Sequence, residues 1–227
     1  MGHLLLEGGA EFGGRMSEPD LRALERAGGF DAPVRILPSA AAPDNNHVRA
    51  GNNGVRWFQS LGAQDVEVVY VIDKASADDP ALAAALRTAR LIYLPGGFPR
   101  HLGETLAGSR AWQAALEAYQ DGAVIGGSSA GAMVLCSDYY DPYEQKLLKG
   151  LDMLPNACVL PHHNQSGKGW AAQLTQRLPD SILIGIDEAT GLLSNPDGSW
   201  TVHGAGAVTL YRGGQAQSHA RGESFVL

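Results

Sequence analysis

Only two of the 227 residues are cysteines, Cys136 and Cys158, and both stand in apolar surroundings. Two such thiols build no disulfide framework and are expected in the core. No C-x-x-C or H-E-x-x-H spacing occurs, so neither a metal nor a cofactor is expected. Basic residues are the minority: 17 Lys and Arg stand against 24 Asp and Glu, a net charge of −7. That balance argues against nucleic acid or an anionic membrane surface as a partner. Internal repeats, low-complexity segments and long apolar runs are missing. The first residues run directly into Leu4-Leu5-Leu6-Glu7-Gly8, with no charged leader and no extended apolar stretch. A cytoplasmic protein without signal peptide or membrane span is the expectation.

What is present suffices for one domain, residues 1–227, with a full core: 44% of residues are hydrophobic and 18% charged. Apolar runs at 3–6, 34–37, 66–72, 91–94, 123–127, 157–160 and 182–186 read as strands. Helical spacing marks 18–27, 45–61 (interrupted around Gly51-Asn52-Asn53-Gly54), 80–90, 110–120 and 168–178. Residues 137–145, polar and aromatic, read as a surface loop. Strands alternating with helices at this pace predict an α/β fold with a parallel sheet covered on both faces. The tail from Leu192, broken by Asn195-Pro196-Asp197-Gly198 and Arg212-Gly213-Gly214, reads as antiparallel hairpins. Ligands gather at the carboxyl ends of parallel strands, which places Gly96-Gly97 and the end of 123–127 on one rim.

At that rim Gly127-Ser128-Ser129-Ala130-Gly131 matches G-x-S-x-G in a strand–turn–helix context. A serine raised on a strained turn needs small neighbours, because a larger side chain would strike the adjacent backbone. The same turn aims the Ala130 amide at the position of a developing oxyanion. Such a serine needs a base, and the base needs an orienting acid. His162-His163 ends one strand and Asp187-Glu188 another. Adjacent strand residues point to opposite faces, so only one of the two histidines can face Ser129. A rival order, Ser129 then Asp187 or Glu188 then His203, is that of α/β-hydrolase esterases. His203 falls inside the hairpin tail, and His47 and His219 read as solvent-facing. The residues alone leave both orders open.

The elbow resembles the serine motif of peptidase family S51, the cyanophycinase and peptidase E group. The likeness continues in order through Leu94-Pro95-Gly96-Gly97, Lys149-Gly150-Leu151-Asp152-Met153-Leu154-Pro155, Pro161-His162-His163 and Gly185-Ile186-Asp187-Glu188-Ala189-Thr190. The resemblance implies a three-layer α/β/α fold like the class I glutamine amidotransferases, with a mostly parallel central sheet. It implies a serine peptidase acting on short peptides through an acyl-enzyme. Ser129 would be the nucleophile, His162 the base and Glu188 the acid, with an oxyanion hole from the Gly97 and Ala130 amides. A homodimer is a further expectation from the family. Phe98, Arg100, His163 and Lys168 are expected to edge the substrate, the two cations as carboxylate ligands. A non-catalytic, amidotransferase-like binding protein is the reading from another class.

Overall fold

The computed structural model describes all 227 residues. In chain order the elements are β1 (His3–Glu7), α1 (Ser17–Ala27), β2 (Val34–Ile36), α2 (His47–Ser60), β3 (Val66–Val68), α3 (Lys74–Ala77), α4 (Pro80–Arg87) and β4 (Leu91–Leu94). They continue with α5 (Pro99–Leu106), α6 (Arg110–Gln120), β5 (Val124–Ser128), α7 (Ala130–Leu135), β6 (Asp138–Asp141), β7 (Lys146–Lys149) and β8 (Ala157–Leu160). The last are α8 (Ala171–Arg177), β9 (Ile182–Ile186), β10 (Thr190–Ser194), β11 (Trp200–Gly204), β12 (Ala207–Arg212), β13 (Gln215–Ala220) and β14 (Ser224–Phe225).

An eight-stranded sheet runs β14-β11-β10-β1-β5-β4-β2-β3. From β1 to β3 it is parallel, and β10, β11 and β14 extend it antiparallel. Alternation along its strands divides the core in two, since successive side chains face opposite sides of a sheet. Leu4, Leu6, Ile92, Leu94 and Ile125 join the cluster shared with Leu86, Leu102, Trp112 and Ala115 of α4, α5 and α6. Leu5, Leu91, Tyr93 and Val124 pack the other way, onto Ala23, Leu24 and Phe58 of α1 and α2. The fold is therefore the expected α/β sandwich of layers with antiparallel C-terminal strands.

One expected placement changes. The strands carrying His162 and Glu188 are not in the central sheet. Strands β8 and β9 pair in parallel within a second sheet, β13-β12-β9-β8. Its Val159, Ile184, Ile186 and Val208 join the larger core cluster, which docks it beside the main sheet.

Four local expectations also change. Helix α2 runs unbroken from His47 to Ser60. Its glycines do not interrupt it; a Cβ at Gly51 would lie 2.7 Å from Val68 Cγ1, and one at Gly54 3.0 Å from Ile36 Cγ2. Their bareness lets the helix lie close on β2 and β3. The β-branched run 66–72 stays a strand only to Val68, because β3 is an edge and the chain then folds on itself, with Val71 N–H donating to Val69 O. Residues 138–141 form a buried strand rather than a surface loop. Tyr139 and Tyr140 point into different clusters, so two adjacent aromatics are buried on opposite faces. His219 is buried and stacked on Phe225, with ring centroids 4.0 Å apart. Both cysteines are free and buried as expected.

Candidate active site

Ser129 stands where β5 gives way to α7, with φ 49° and ψ −111°. A non-glycine residue with such a φ is strained, and strain of this kind persists only where the surroundings enforce it. Here they do. A Cβ at Gly127 would lie 2.4 Å from the Gly131 carbonyl carbon, and one at Gly131 only 1.9 Å from Leu94 O. Glycine is a packing requirement at both outer positions of the motif, within the elbow at Gly127 and against β4 at Gly131.

His162 follows β8 and also has a positive φ, 48°. Its Nε2 lies 2.9 Å from Ser129 Oγ, and its Nδ1 lies 2.8 Å from Glu188 Oε1. The Glu188 N–H donates to Asn164 Oδ1 at 3.0 Å, which ties the acid's backbone to the loop following the histidine. The imidazole and the Glu188 carboxylate are each about one-third exposed, 32% and 36%, so the relay opens to solvent on one side.

The segment after β1 joins these pieces. Ser129 N–H donates to Glu7 O (3.0 Å), His162 N–H to Gly8 O (2.7 Å) and Ala189 N–H to Gly9 O (3.2 Å). Three consecutive carbonyls thus hold the backbone at, or next to, each of the three distant residues. Gly9, at φ +115°, presses on the imidazole: a Cβ there would meet His162 Cε1 at 2.2 Å. Glu11 completes the frame. Its carboxylate accepts from Gly96 N–H at 3.0 Å and from the Ser128 hydroxyl at 2.9 Å. The sequence marks 3–6 as a strand and gives no role to Gly8, Gly9 or Glu11. The one available signal was a double glycine directly after a buried strand, which marks close approach of another chain segment.

Gly97 has φ +143°, and a Cβ on it would lie 2.3 Å from Ala40 O. The neighbouring Phe98 N–H donates to that same Ala40 carbonyl. No loop carbonyl or side chain takes the N–H of Gly97 or of Ala130. The strands β4 and β5 are adjacent and parallel, so the Gly97 loop and the elbow share one rim, as the glycine pattern predicted.

Below the rim lies a buried acid pair. Glu7 and Asp20 are both fully buried, and each keeps one oxygen without a partner, Oε1 and Oδ1. The other oxygens accept from Tyr93 OH and from Trp57 Nε1 respectively. Burial, then the neighbouring Asp20 charge, pushes the Glu7 carboxyl well up. Burial likewise pushes Asp20 up to about 7. Two buried carboxyls side by side hold a proton at neutral pH, because both cannot ionise away from water.

Not every expected site residue joins the serine. His163 is buried facing the other way, with Nε2 2.8 Å from Tyr211 OH and Nδ1 3.4 Å from Asp187. Burial pushes its pKa down despite the Asp187 carboxylate. Asp187 is engaged there and with Ala207 N–H, which removes it as a partner of His162. Lys168 is exposed and lines a cavity with Ala171, Thr175 and Tyr211, on the His163 side. Arg100 is bound by Glu104 at 2.7 Å and by Glu144. Phe98 stacks on Tyr143 at 4.8 Å, beside that ion pair. His203 lies on β11 with Nδ1 3.5 Å from Glu18.

The main cleft lies elsewhere. About 630 Å³ opens beside Gly96 and the expected oxyanion-hole residue Gly97, between Glu11 and α2; Gly97 alone of the expected site residues lines it. No helix is long and apolar enough to cross a membrane.

A cyanophycinase from Geminocystis herdmanii is 30% identical over 227 residues, covering 95% of this chain and 82% of the relative. A cyanophycinase from Synechococcus elongatus is 28% identical over 220 residues, 92% of this chain and 67% of the relative. Among solved structures, a peptidase from an acI-B1 Actinobacterium matches with TM-score 0.88 and 29% identity, covering 100% of this chain and 97% of that one. A putative peptidase E from Listeria monocytogenes, at 18% identity and TM-score 0.59 over 96% of this chain and 98% of that one, shares the fold. The model of peptidase family S51 matches residues 4–199. The chain belongs to peptidase family S51 and is a serine-type peptidase.

Proposed function

We propose that this peptidase hydrolyses short peptides with Ser129 as nucleophile, His162 as base and Glu188 as orienting acid. The observation that carries the reading is the unbroken relay from Ser129 Oγ to His162 Nε2 (2.9 Å) and from His162 Nδ1 to Glu188 Oε1 (2.8 Å). Glu188 accepts the Nδ1–H, which leaves Nε2 as the acceptor for the serine proton and stabilises the imidazolium once formed.

In the first step Ser129 Oγ attacks the scissile carbonyl carbon while Nε2 takes its proton. The carbonyl oxygen becomes an oxyanion, held by the uncommitted N–H groups of Gly97 and Ala130. Collapse of the tetrahedral adduct breaks the C–N bond, and His162 returns the proton to the leaving amine. Water, deprotonated by the same imidazole, then cleaves the acyl-enzyme. Substrate length follows from the cleft beside Gly97, whose volume of about 630 Å³ accommodates a few residues.

Ser129→Ala is expected to lower kcat by roughly 10⁴-fold or more with little change in thermal unfolding. Near wild-type turnover in that variant overturns the assignment. A fluorophosphonate probe, which labels only an activated serine, separates the peptidase from a non-catalytic binding protein.

A further inference from the structure

The loop after β1 holds backbone conformations that ordinary side chains rarely adopt. Ala10 and Phe12 have φ 62° and 61°, and Gly9 before them has φ +115°. Glu11 therefore stands between two left-handed non-glycine residues, and strain of that kind persists only where neighbouring contacts enforce it. Phe12 is fixed from two sides. Its ring lies 5.5 Å from that of Tyr93 on β4, and a Cβ on Gly54 of α2 would come within 3.1 Å of its Cζ. What the loop delivers, so held, is the Glu11 carboxylate.

That carboxylate lies where the sheet stops joining two strands. The β4–β5 ladder ends at Leu94 opposite Gly127. Beyond it the chains part, one into Pro95-Gly96-Gly97 and the other into Ser128-Ser129-Ala130, and no backbone hydrogen bond links these two segments. Glu11 spans the gap: Oε1 accepts from Gly96 N–H at 3.0 Å, and Oε2 accepts from the Ser128 hydroxyl at 2.9 Å. Bonds to a charged acceptor are the strong ones, so the two ends are held firmly. Gly96 is next to Gly97, and Ser128 is two residues from Ala130, so one carboxylate grips the chain beside each expected oxyanion donor. The junction is tight. A Cβ on Gly96 would be 2.8 Å from Glu11 Oε1 and 3.3 Å from Ser129 Cβ.

We propose that Glu11 is the positioning residue of the oxyanion hole, setting the spacing between the Gly97 and Ala130 amides. The proposal rests on Ser129 being the nucleophile and goes past it: the triad moves the proton, whereas Glu11 fixes where the developing negative charge is received. Each carboxylate oxygen already accepts a hydrogen bond, so Glu11 acts through the two segments it joins. Donors held in place in advance stabilise a transition state because they need not move as charge develops. A Gly97 segment released from the elbow has to be drawn back at every turnover. That loss falls on the transition state and not on substrate binding, so it appears in kcat rather than in KM.

The test compares p-nitrophenyl acetate with its thiono ester, in which sulfur replaces the carbonyl oxygen. The same serine attacks both, but sulfur is a weak acceptor and gains little from the hole. Relative to the uncatalysed reactions, the parent enzyme is expected to favour the oxygen ester by roughly 100-fold, the effect of one oxyanion donor. Glu11→Ala should lower kcat on the oxygen ester roughly 10- to 100-fold, leave KM within about twofold, and shrink the preference for oxygen by the same factor as kcat. Glu11→Gln, whose amide can accept from Gly96 N–H and donate to Ser128 Oγ, should recover both to within about fivefold of the parent. Ser128→Ala, which cuts one arm alone, should shrink the preference in the same direction, and it carries the test if Glu11→Ala does not fold. A preference unchanged in every folded variant, or a Glu11→Gln enzyme as impaired as Glu11→Ala, overturns the proposal. Fluorophosphonate labelling reads the nucleophile separately. An unlabelled parent sinks Ser129, and a labelled parent with no preference for the oxygen ester, for want of turnover or of discrimination, sinks the hole alone.

Discussion

Gly9→Ala offers a direct trial of the idea that the segment after β1 sets the imidazole. The new Cβ would stand 2.2 Å from His162 Cε1 and 2.7 Å from Nδ1, so the ring must retreat about 1.2 Å to ordinary contact at 3.4 Å. Its Nε2 now sits 2.9 Å from Ser129 Oγ, and a displacement of that size is expected to disrupt the bond. Misplacement of a catalytic group by about 1 Å lowers turnover on the order of 100-fold. Part of any effect comes from the backbone, since alanine at φ +115° is strained by about 1–2 kcal/mol. Gly28→Ala isolates that part: Gly28 has φ +114°, and nothing lies within 4 Å of its would-be Cβ. Both variants are expected to lose a few degrees of thermal stability. Only Gly9→Ala should lose about two orders of magnitude in kcat, measured at saturating peptide. If both variants turn over within twofold of each other, the imidazole is not held by Gly9 and the reasoning fails.

Two further outcomes are expected. The Glu7–Asp20 pair keeps its proton in the fold and releases it in the unfolded chain, so stability falls as pH rises from about 4 through about 7. Asp20→Asn, which can still accept from Trp57, should flatten that slope in calorimetric scans from pH 4 to 8; an unchanged slope refutes the pair as its source. Burial pushes the Cys136 thiol well up and the Cys158 thiol up to about 12. A thiol reagent should therefore find neither in the native protein and both in denaturant, and rapid native reaction would contradict their packing.

The elements whose residues repeat a local pattern were legible directly. The elbow is the clearest case, because Gly127 and Gly131 are needed within the same five residues that carry Ser129. The ends of β4 and β5 were legible as sharing one rim, since a parallel sheet puts all strand carboxyl ends on one side, but their adjacency was not. The α2 glycines misled for a physical reason: propensity weakens a helix at glycine, but Val68 and Ile36 approach so closely that only glycine fits. The buried strand at 138–141 was hidden because a tyrosine pair looks amphipathic in sequence and becomes core only when two different clusters receive it.

The sequence by itself determined the layered α/β plan, the strained serine turn and the short list of groups able to serve it. Periodicity and backbone sterics act over a few residues, so those features were readable without coordinates. The tertiary structure decided which imidazole faces Ser129, that Asp187 belongs to His163, and that the second sheet delivers His162 and Glu188. It also decided that the carbonyls of residues 7–9 tie the three together and that the cleft lies along α2. Those outcomes depend on contacts between distant segments, some more than a hundred residues apart, such as Glu7 with Ser129 and Gly8 with His162, which no local pattern encodes.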